Sequence, residues 1–164
     1  MPFASSYIPT TSTTASRAAD ALEIPWTSAT ATFIIKSVNQ VYASGKSVDL
    51  LAANTNSNGD QLLAMGSAAN LATIDGAATL TLTSAVSAWS ASNISGVSGN
   101  ASGRVIGANN VTPASDGNPL FTATPSDIWI GGENRTPACG DFSQFRAFNI
   151  IATSTQLQAQ TNLA

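Results

Sequence analysis

Few side chains in this 164-residue chain could do chemistry, and their types narrow the field at once. There is no histidine, so the commonest general base and the commonest transition-metal ligand are both missing. A Ser–His or Cys–His nucleophile is excluded for the same reason. The acids are Asp20, Glu23, Asp49, Asp60, Asp75, Asp116, Asp127, Glu133 and Asp141. Two of them about 5 to 9.5 Å apart across a cleft would suit glycoside hydrolysis. Yet Asp60, Asp75, Asp116 and Asp141 each adjoin a glycine, the setting in which Asp hydrogen-bonds its own backbone in a turn. A small glycan hydrolase is therefore the weakest reading. Asp116, Asn118 and Asp127 offer hard oxygen ligands, but their spacing fits no compact calcium loop, so a solvated turn is expected there. Cys139 is the only cysteine and can form no intramolecular disulfide. Beside Pro137, Ala138 and Gly140 it suits a small buried hydrophobe or a contact residue better than a nucleophile. The expectation is a protein with no catalytic residues, no metal and no cofactor.

What the chain does carry is equipment for gripping. Asn54, Asn56 and Asn58 lie in Asn54-Thr-Asn-Ser-Asn-Gly-Asp60, a hairpin signal because Asn and Asp bond their own backbone and Gly59 accepts positive φ. Such a tip presents amides and hydroxyls to sugar hydroxyls. An open indole can stack on a sugar ring, and the tryptophans are Trp26, Trp89 and Trp129. Trp26, beside Pro25, reads as a packing lid and Trp89 as a core anchor. Trp129 is the better platform, since Ile128 and Ile130 fill the opposite face of its strand.

These residues need elements to position them, and the elements are strands. Ala29 to Val38 alternates Thr30, Thr32, Ile34 and Lys36 against Ala31, Phe33, Ile35 and Ser37, with the β-branched bias of a pleated surface. Strands follow at Lys46 to Ala52, Gln61 to Met65, Leu71 to Ile74 and Ala78 to Thr83, the last with Leu80 and Leu82 inward. Asp75-Gly76 marks a hairpin. Val86 to Trp89 and Arg104 to Gly107 are further short strands, whereas residues 90–103 hold mostly Ser, Asn and Gly, where a helix would be costly. Val111 to Thr124 reads as a long connection containing a turn. Asp127 to Ile130 is a strand closed by Gly131-Gly132, and Gly140 to Ile151 is another. In the latter, Phe142, Gln144, Arg146 and Phe148 alternate against Ser143, Phe145, Ala147, Asn149 and Ile151. The one helix expected lies within Ala152 to Gln160, capped by Thr153 or Ser154 with Leu157 inward. Many short strands with turn signals between them predict an all-β, antiparallel β-sandwich of jelly-roll type with a short C-terminal helix.

Composition sets the remaining limits. Only 9% of residues are charged and the net charge is −3. Six scattered Lys and Arg make no basic patch, so no nucleic-acid partner is expected. No apolar run reaches membrane-helix length, so no membrane insertion is expected, and Met1 to Tyr7 lacks the pattern of a secretory signal. So little charge gives weak colloidal protection. It fits either a surface tiled with Ser, Thr and Asn or a protein covered within an assembly. Residues 1–21 are rich in Pro, Ser, Thr and Ala, and Pro2 and Pro9 exclude a helix through them. They read as an extended anchoring arm, carrying Tyr7, Ile8 and Pro9, that could add to a neighbour's sheet edge. The sandwich domain would occupy 22–164.

The block Asp127-Ile-Trp-Ile-Gly-Gly, Gly140-Asp-Phe-Ser-Gln-Phe-Arg-Ala-Phe-Asn-Ile-Ile and Thr155-Gln-Leu resembles the end of concanavalin-A-like lectin/glucanase domains of the laminin-G/pentraxin type. Phe142, Phe145, Arg146, Phe148 and Asn149 occupy the comparable places. Ser6-Tyr-Ile-Pro-Thr-Thr with Ala15-Ser-Arg-Ala-Ala-Asp20 resembles a phrase of bacteriophage structural proteins. The glucanases' Glu-x-Asp-x-x-Glu strand has no counterpart here. The resemblance implies a non-enzymatic virion protein, a decoration or spike on the exterior of a phage-like particle. Its partners would be other virion proteins, copies of itself and host surface glycans. The alternative is a carbohydrate-binding host-recognition module of a tail or head fibre.

Overall fold

The computed structural model describes residues 22–38, 48–53, 60–66, 70–75, 78–83, 85, 91–131 and 141–162. Two antiparallel sheets are stacked face to face. The six-stranded sheet runs, edge to edge, β1 (Leu22–Pro25), β10 (Asp127–Ile130), β3 (Val48–Ala53), β4 (Asp60–Met65), β5 (Leu71–Asp75) and β6 (Ala78–Leu82). The five-stranded sheet runs β11 (Asp141–Phe148), β2 (Ala31–Val38), β7 (Asn93–Asn100), β8 (Gly103–Ala108) and β9 (Ala114–Asp116). A short helix, α1 (Ser154–Gln160), follows. The sandwich, the strands anticipated at β2 to β6, β8, β10 and β11, and the terminal helix all stand as expected. Val86 to Trp89, Cys139 and residues 1–21 lie outside the described residues.

Alternation on β2 sorts its side chains between two environments. Ala31, Phe33 and Ile35 enter the core between the sheets with Leu51, Leu63, Met65, Leu71, Val97, Ile106, Leu120, Ile128 and Ile130. Ile34 faces the other way, into a smaller cluster with Ile94, Ala152, Leu157 and Val105. That second cluster is where α1 docks on the outer face of the five-stranded sheet. Thr153 caps the helix in a reciprocal box with Gln156, satisfying backbone groups that would otherwise lack partners.

Three features were not read from the sequence. The Ser/Asn/Gly stretch contains β7, the centre of the five-stranded sheet, paired to both β2 and β8. Its small residues are dictated by packing: a Cβ on Gly96 would lie 2.8 Å from Leu157 Cδ1 and 3.3 Å from the Phe33 carbonyl oxygen. Packing clearance, rather than β propensity, chose the residue there. On β11 the simple alternation fails, because a bulge between Phe142 and Gln144 shifts the register. Phe142 and Phe145 therefore both pack against the core. Leu22–Pro25, read as the start of a domain with no strand assigned, is an edge strand paired to β10.

Candidate functional site

Among the described residues, the outer face of the six-stranded sheet carries one aromatic, Trp129, and several polar groups able to grip a ligand. Ile128 and Ile130 point into the core, so alternation turns Trp129 outward, where it is partly exposed. Register then lays a row across the sheet, with the residue between Trp129 and Gln61, Ala52, buried. Glu23 is opposite Trp129, Trp129 opposite Ala52, Ala52 opposite Gln61, Gln61 opposite Ile74 and Ile74 opposite Thr79. Directly paired residues share a face. With strands about 4.8 Å apart, Trp129 and Gln61 stand about 10 Å from each other.

Each member is held by local structure. Gly131 ends β10 at φ 87, a conformation that costs glycine nothing and an L side chain much, and its N–H donates to the Leu50 carbonyl at 2.9 Å. The Gln61 amide donates to the Asp49 carboxylate at 2.7 Å, which fixes the amide in orientation on the face. Asp49 itself is buried. Glu23 and Thr79 are exposed.

The two described tryptophans differ in a way that assigns their roles. Trp26 lies edge-on to Phe33 with centroids 4.9 Å apart and donates its indole N–H to the Ser28 carbonyl at 3.0 Å. It is a structural lid, as expected. Trp129 has no indole hydrogen bond and no ring partner among the described residues. Its strand holds an aromatic edge and an N–H donor ready for something else. Of the residues singled out from the sequence, Trp129 falls on this face together with two of the acids, Glu23 and Asp127; Asn54, Asn56, Asn58, Tyr7, Ile8 and Pro9 lie outside the described residues. The loop's strand ends, Ala53 and Asp60, pair with each other one residue from the Ala52–Gln61 step. Gln61 was not anticipated and Glu23 was named only as one of nine acids, because only the strand register brings them beside the indole.

Of the acids on this sheet whose side chains are described, Glu23 and Asp127 come nearest each other, diagonal neighbours on one face about 7–8 Å apart. Asp127, however, accepts from Ser126 Oγ at 2.7 Å, and neither acid lines a described hollow. Glu23 and Asp49 are two strands and three residues apart, roughly 14 Å from strand spacing and rise, beyond the range for paired glycosidase carboxylates. Asp116 is held by a bidentate pair with Arg104, Nε to Oδ1 at 3.0 Å and Nη2 to Oδ2 at 3.1 Å. Asn118 adds donors to both oxygens. Burial pushes the Asp116 carboxyl up, but the hydrogen bonds from Arg104 and Asn118 and the guanidinium charge outweigh it and hold the group below its ordinary value. This is a structural clamp rather than the solvated turn expected, since Arg104 also reaches across to the Ala78 carbonyl of the other sheet. Among the described residues no group of three or more His, Cys, Asp and Glu could hold a metal ion.

Two shallow hollows open on the opposite, five-stranded side. One, about 190 Å³, is walled by Ile34, Phe148, Ile150, Ile151 and the polar ends of Gln156 and Gln160. The other, about 260 Å³, lies over Ser98, Asn100, Arg104 and Asp116. Between them Ala152 N–H donates to Ser98 Oγ at 2.8 Å and Thr32 Oγ1 donates to the Ile150 carbonyl at 2.7 Å, so the segment after β11 is pinned to the sheet.

No protein-family model and no curated protein matches the sequence. Solved structures do match in fold. CBM40 of the Ruminococcus gnavus IT-sialidase, solved also with alpha2,3 and alpha2,6 sialyllactose, superposes with a TM-score of 0.63 at 15% identity, covering 88% of this chain and 97% of that one. Domain 4 of the arabinanase AbnA from Geobacillus stearothermophilus, in complex with arabinotriose, gives 0.65 at 10% identity, covering 87% and 72%. Trypanosoma rangeli sialidase gives 0.61 at 13% identity, covering 79% of this chain and 22% of that one. The chain folds as a concanavalin-A-like jelly roll. At such identities the likeness establishes the fold.

Proposed function

We propose that this chain is a non-catalytic glycan-binding module whose site is the outer face of the six-stranded sheet. Trp129 is the stacking platform, and Glu23 and the Asp49-oriented amide of Gln61 are the hydrogen-bonding groups beside it. The observation that carries the reading is the outward, partly exposed Trp129, which has neither ring nor hydrogen-bond partner among the described residues and stands in a row with polar side chains. The likeness to domains solved with sialyllactose and arabinotriose supports it at the level of architecture. So does the lack of any histidine, which leaves the chain better equipped to hold than to cut.

Binding to an immobilised glycan array tests the proposal. Trp129→Ala is expected to weaken retention of the bound glycan at least tenfold while leaving the melting temperature within a few degrees of wild type. Trp26→Ala, by contrast, empties a core-facing lid and is expected to cost about 3–5 kcal/mol of stability. Loss of stability without loss of binding in Trp129→Ala would refute the assignment.

The placement of such a module on a virion, among other virion proteins and copies of itself, is a second part of the proposal. It is favoured by where the exposed large apolar side chains lie. Phe148 ends β11, and the exposed Ile150 and Ile151 follow it over the outer face of the five-stranded sheet, beside Ile34 and Gln156. An apolar flank of that kind suits burial against a neighbour.

A further inference from the structure

We infer that the Trp129 face selects uncharged sugars and rejects anionic ones. The inference rests on the glycan-binding reading of the same face and concerns which class of glycan it takes. Its basis is the distribution of charge between the two sheets. The described cations are Lys36, Arg104 and Arg146, and all three belong to the five-stranded sheet. Arg104 is turned inward and fully buried against Asp116. Arg146 donates from Nη1 to the Gln160 side chain at 2.8 Å, on the far side of the molecule. Lys36 is on β2, paired with Ile94 of the α1-bearing face.

The described ionisable side chains of the six-stranded sheet, Glu23, Asp49 and Asp127, carry the opposite sign. Glu23 is exposed and directly cross-strand from Trp129, and Asp49 lies behind the Gln61 amide. Directly opposed side chains have Cβ atoms about 5 Å apart, so a ring stacked on the indole comes within reach of the Glu23 carboxylate. A neutral sugar supplies hydroxyl donors to that acceptor, a charge-assisted bond stronger than a neutral one. A sialic acid, uronic acid or sulfated sugar in the same place brings a second negative charge, with no cation among the described residues of this face to offset it. Like charges at this range disfavour one another, the more so as water is displaced. The chain thus shares its fold with a domain solved with sialyllactose, while the described ionisable side chains at the platform, Glu23 and Asp127, are acidic.

The test is an array of neutral oligosaccharides printed beside their sialylated, uronic-acid-containing and sulfated counterparts, read with the full chain at low and at physiological salt. A preference of tenfold or more for the neutral member of each pair is expected, narrowing as salt rises because the discrimination is electrostatic. Glu23→Gln should shrink the preference to a few-fold, and Glu23→Lys should reverse it; the residue is exposed on an edge strand, so the fold tolerates both. Wild-type binding that favours the acidic members and is lost in Trp129→Ala would overturn the inference and leave the glycan site standing. Binding to no member at either salt concentration would instead overturn the glycan-binding reading itself.

Discussion

At the scale of single residues, the molecule separates groups that hold the structure together from groups that face a ligand. The Arg104–Asp116 pair belongs to the first kind. Arg104 is fully buried and Asp116 only 24% exposed, so removing the carboxylate strands a charge in the interior. Asp116→Ala is expected to lower stability by about 2 kcal/mol or more, short of the largest buried-pair losses because Asp116 keeps some contact with water. The pair also sets a pH dependence. The Asp116 carboxyl titrates below its ordinary value in the folded state, so its contribution is complete above the unfolded value of about 3.9. It is lost as pH falls from there through the folded value. Urea melts between pH 7 and pH 3 should show this acid-side loss in wild type and a shallower one in Asp116→Asn. The sequence named Asp116 and Asn118 but could not show the clamp, because the partner lies twelve residues away on a neighbouring strand and the Ala78 carbonyl on the other sheet.

At the scale of elements, the outcome turned on clearance. β2 was legible because its β-branched and polar residues alternate, and α1 because Thr153, Gln156 and Leu157 stand at capping and inward positions. β7 was not legible: its composition follows from being sandwiched between the core and α1, a tertiary demand that no local pattern announces. The same demand predicts a coupled pair of substitutions. Gly96→Ala places a methyl 2.8 Å from Leu157 Cδ1 and 3.2 Å from Thr161 Cγ2 and should cost about 1–3 kcal/mol by overpacking. Leu157→Ala should cost about 2–5 kcal/mol through its cavity. Combined, they should cost less than the sum, since the leucine no longer meets the added methyl. Strict additivity in thermal melts would show that α1 does not bear on β7 as described. The bulge in β11 was hidden for a different reason: one extra residue leaves composition unchanged and reveals itself only in pairing.

At the scale of the whole molecule, the sandwich divides labour between faces. The six-stranded sheet turns Trp129, Glu23, Gln61 and Thr79 outward; the five-stranded sheet is covered by α1 and carries the described cations. The exposed apolar Phe148, Ile150 and Ile151 form a flank on the five-stranded side, at and beyond the end of β11. If that flank meets a neighbour, a paired Ile150→Lys and Ile151→Lys change should shift concentrated protein toward monomer in light scattering without altering glycan retention. An unchanged mass would remove the flank from the assembly proposal. Fold class was legible in the sequence because turn signals and alternation recur along the whole chain. The site was legible only in its tryptophan, since a binding face on a sheet is made by register between β1, β10, β3 and β4, strands far apart in sequence.

The most direct test of the account is a titration of the isotope-labelled chain with a neutral oligosaccharide that it retains, followed by amide and indole NMR shifts. The account predicts the largest shifts at the Trp129 indole, Glu23, Gln61 and Thr79, with the amides of Phe148, Ile150 and Gln156 unmoved. Shifts concentrated on those last three residues, with Trp129 silent, would contradict it.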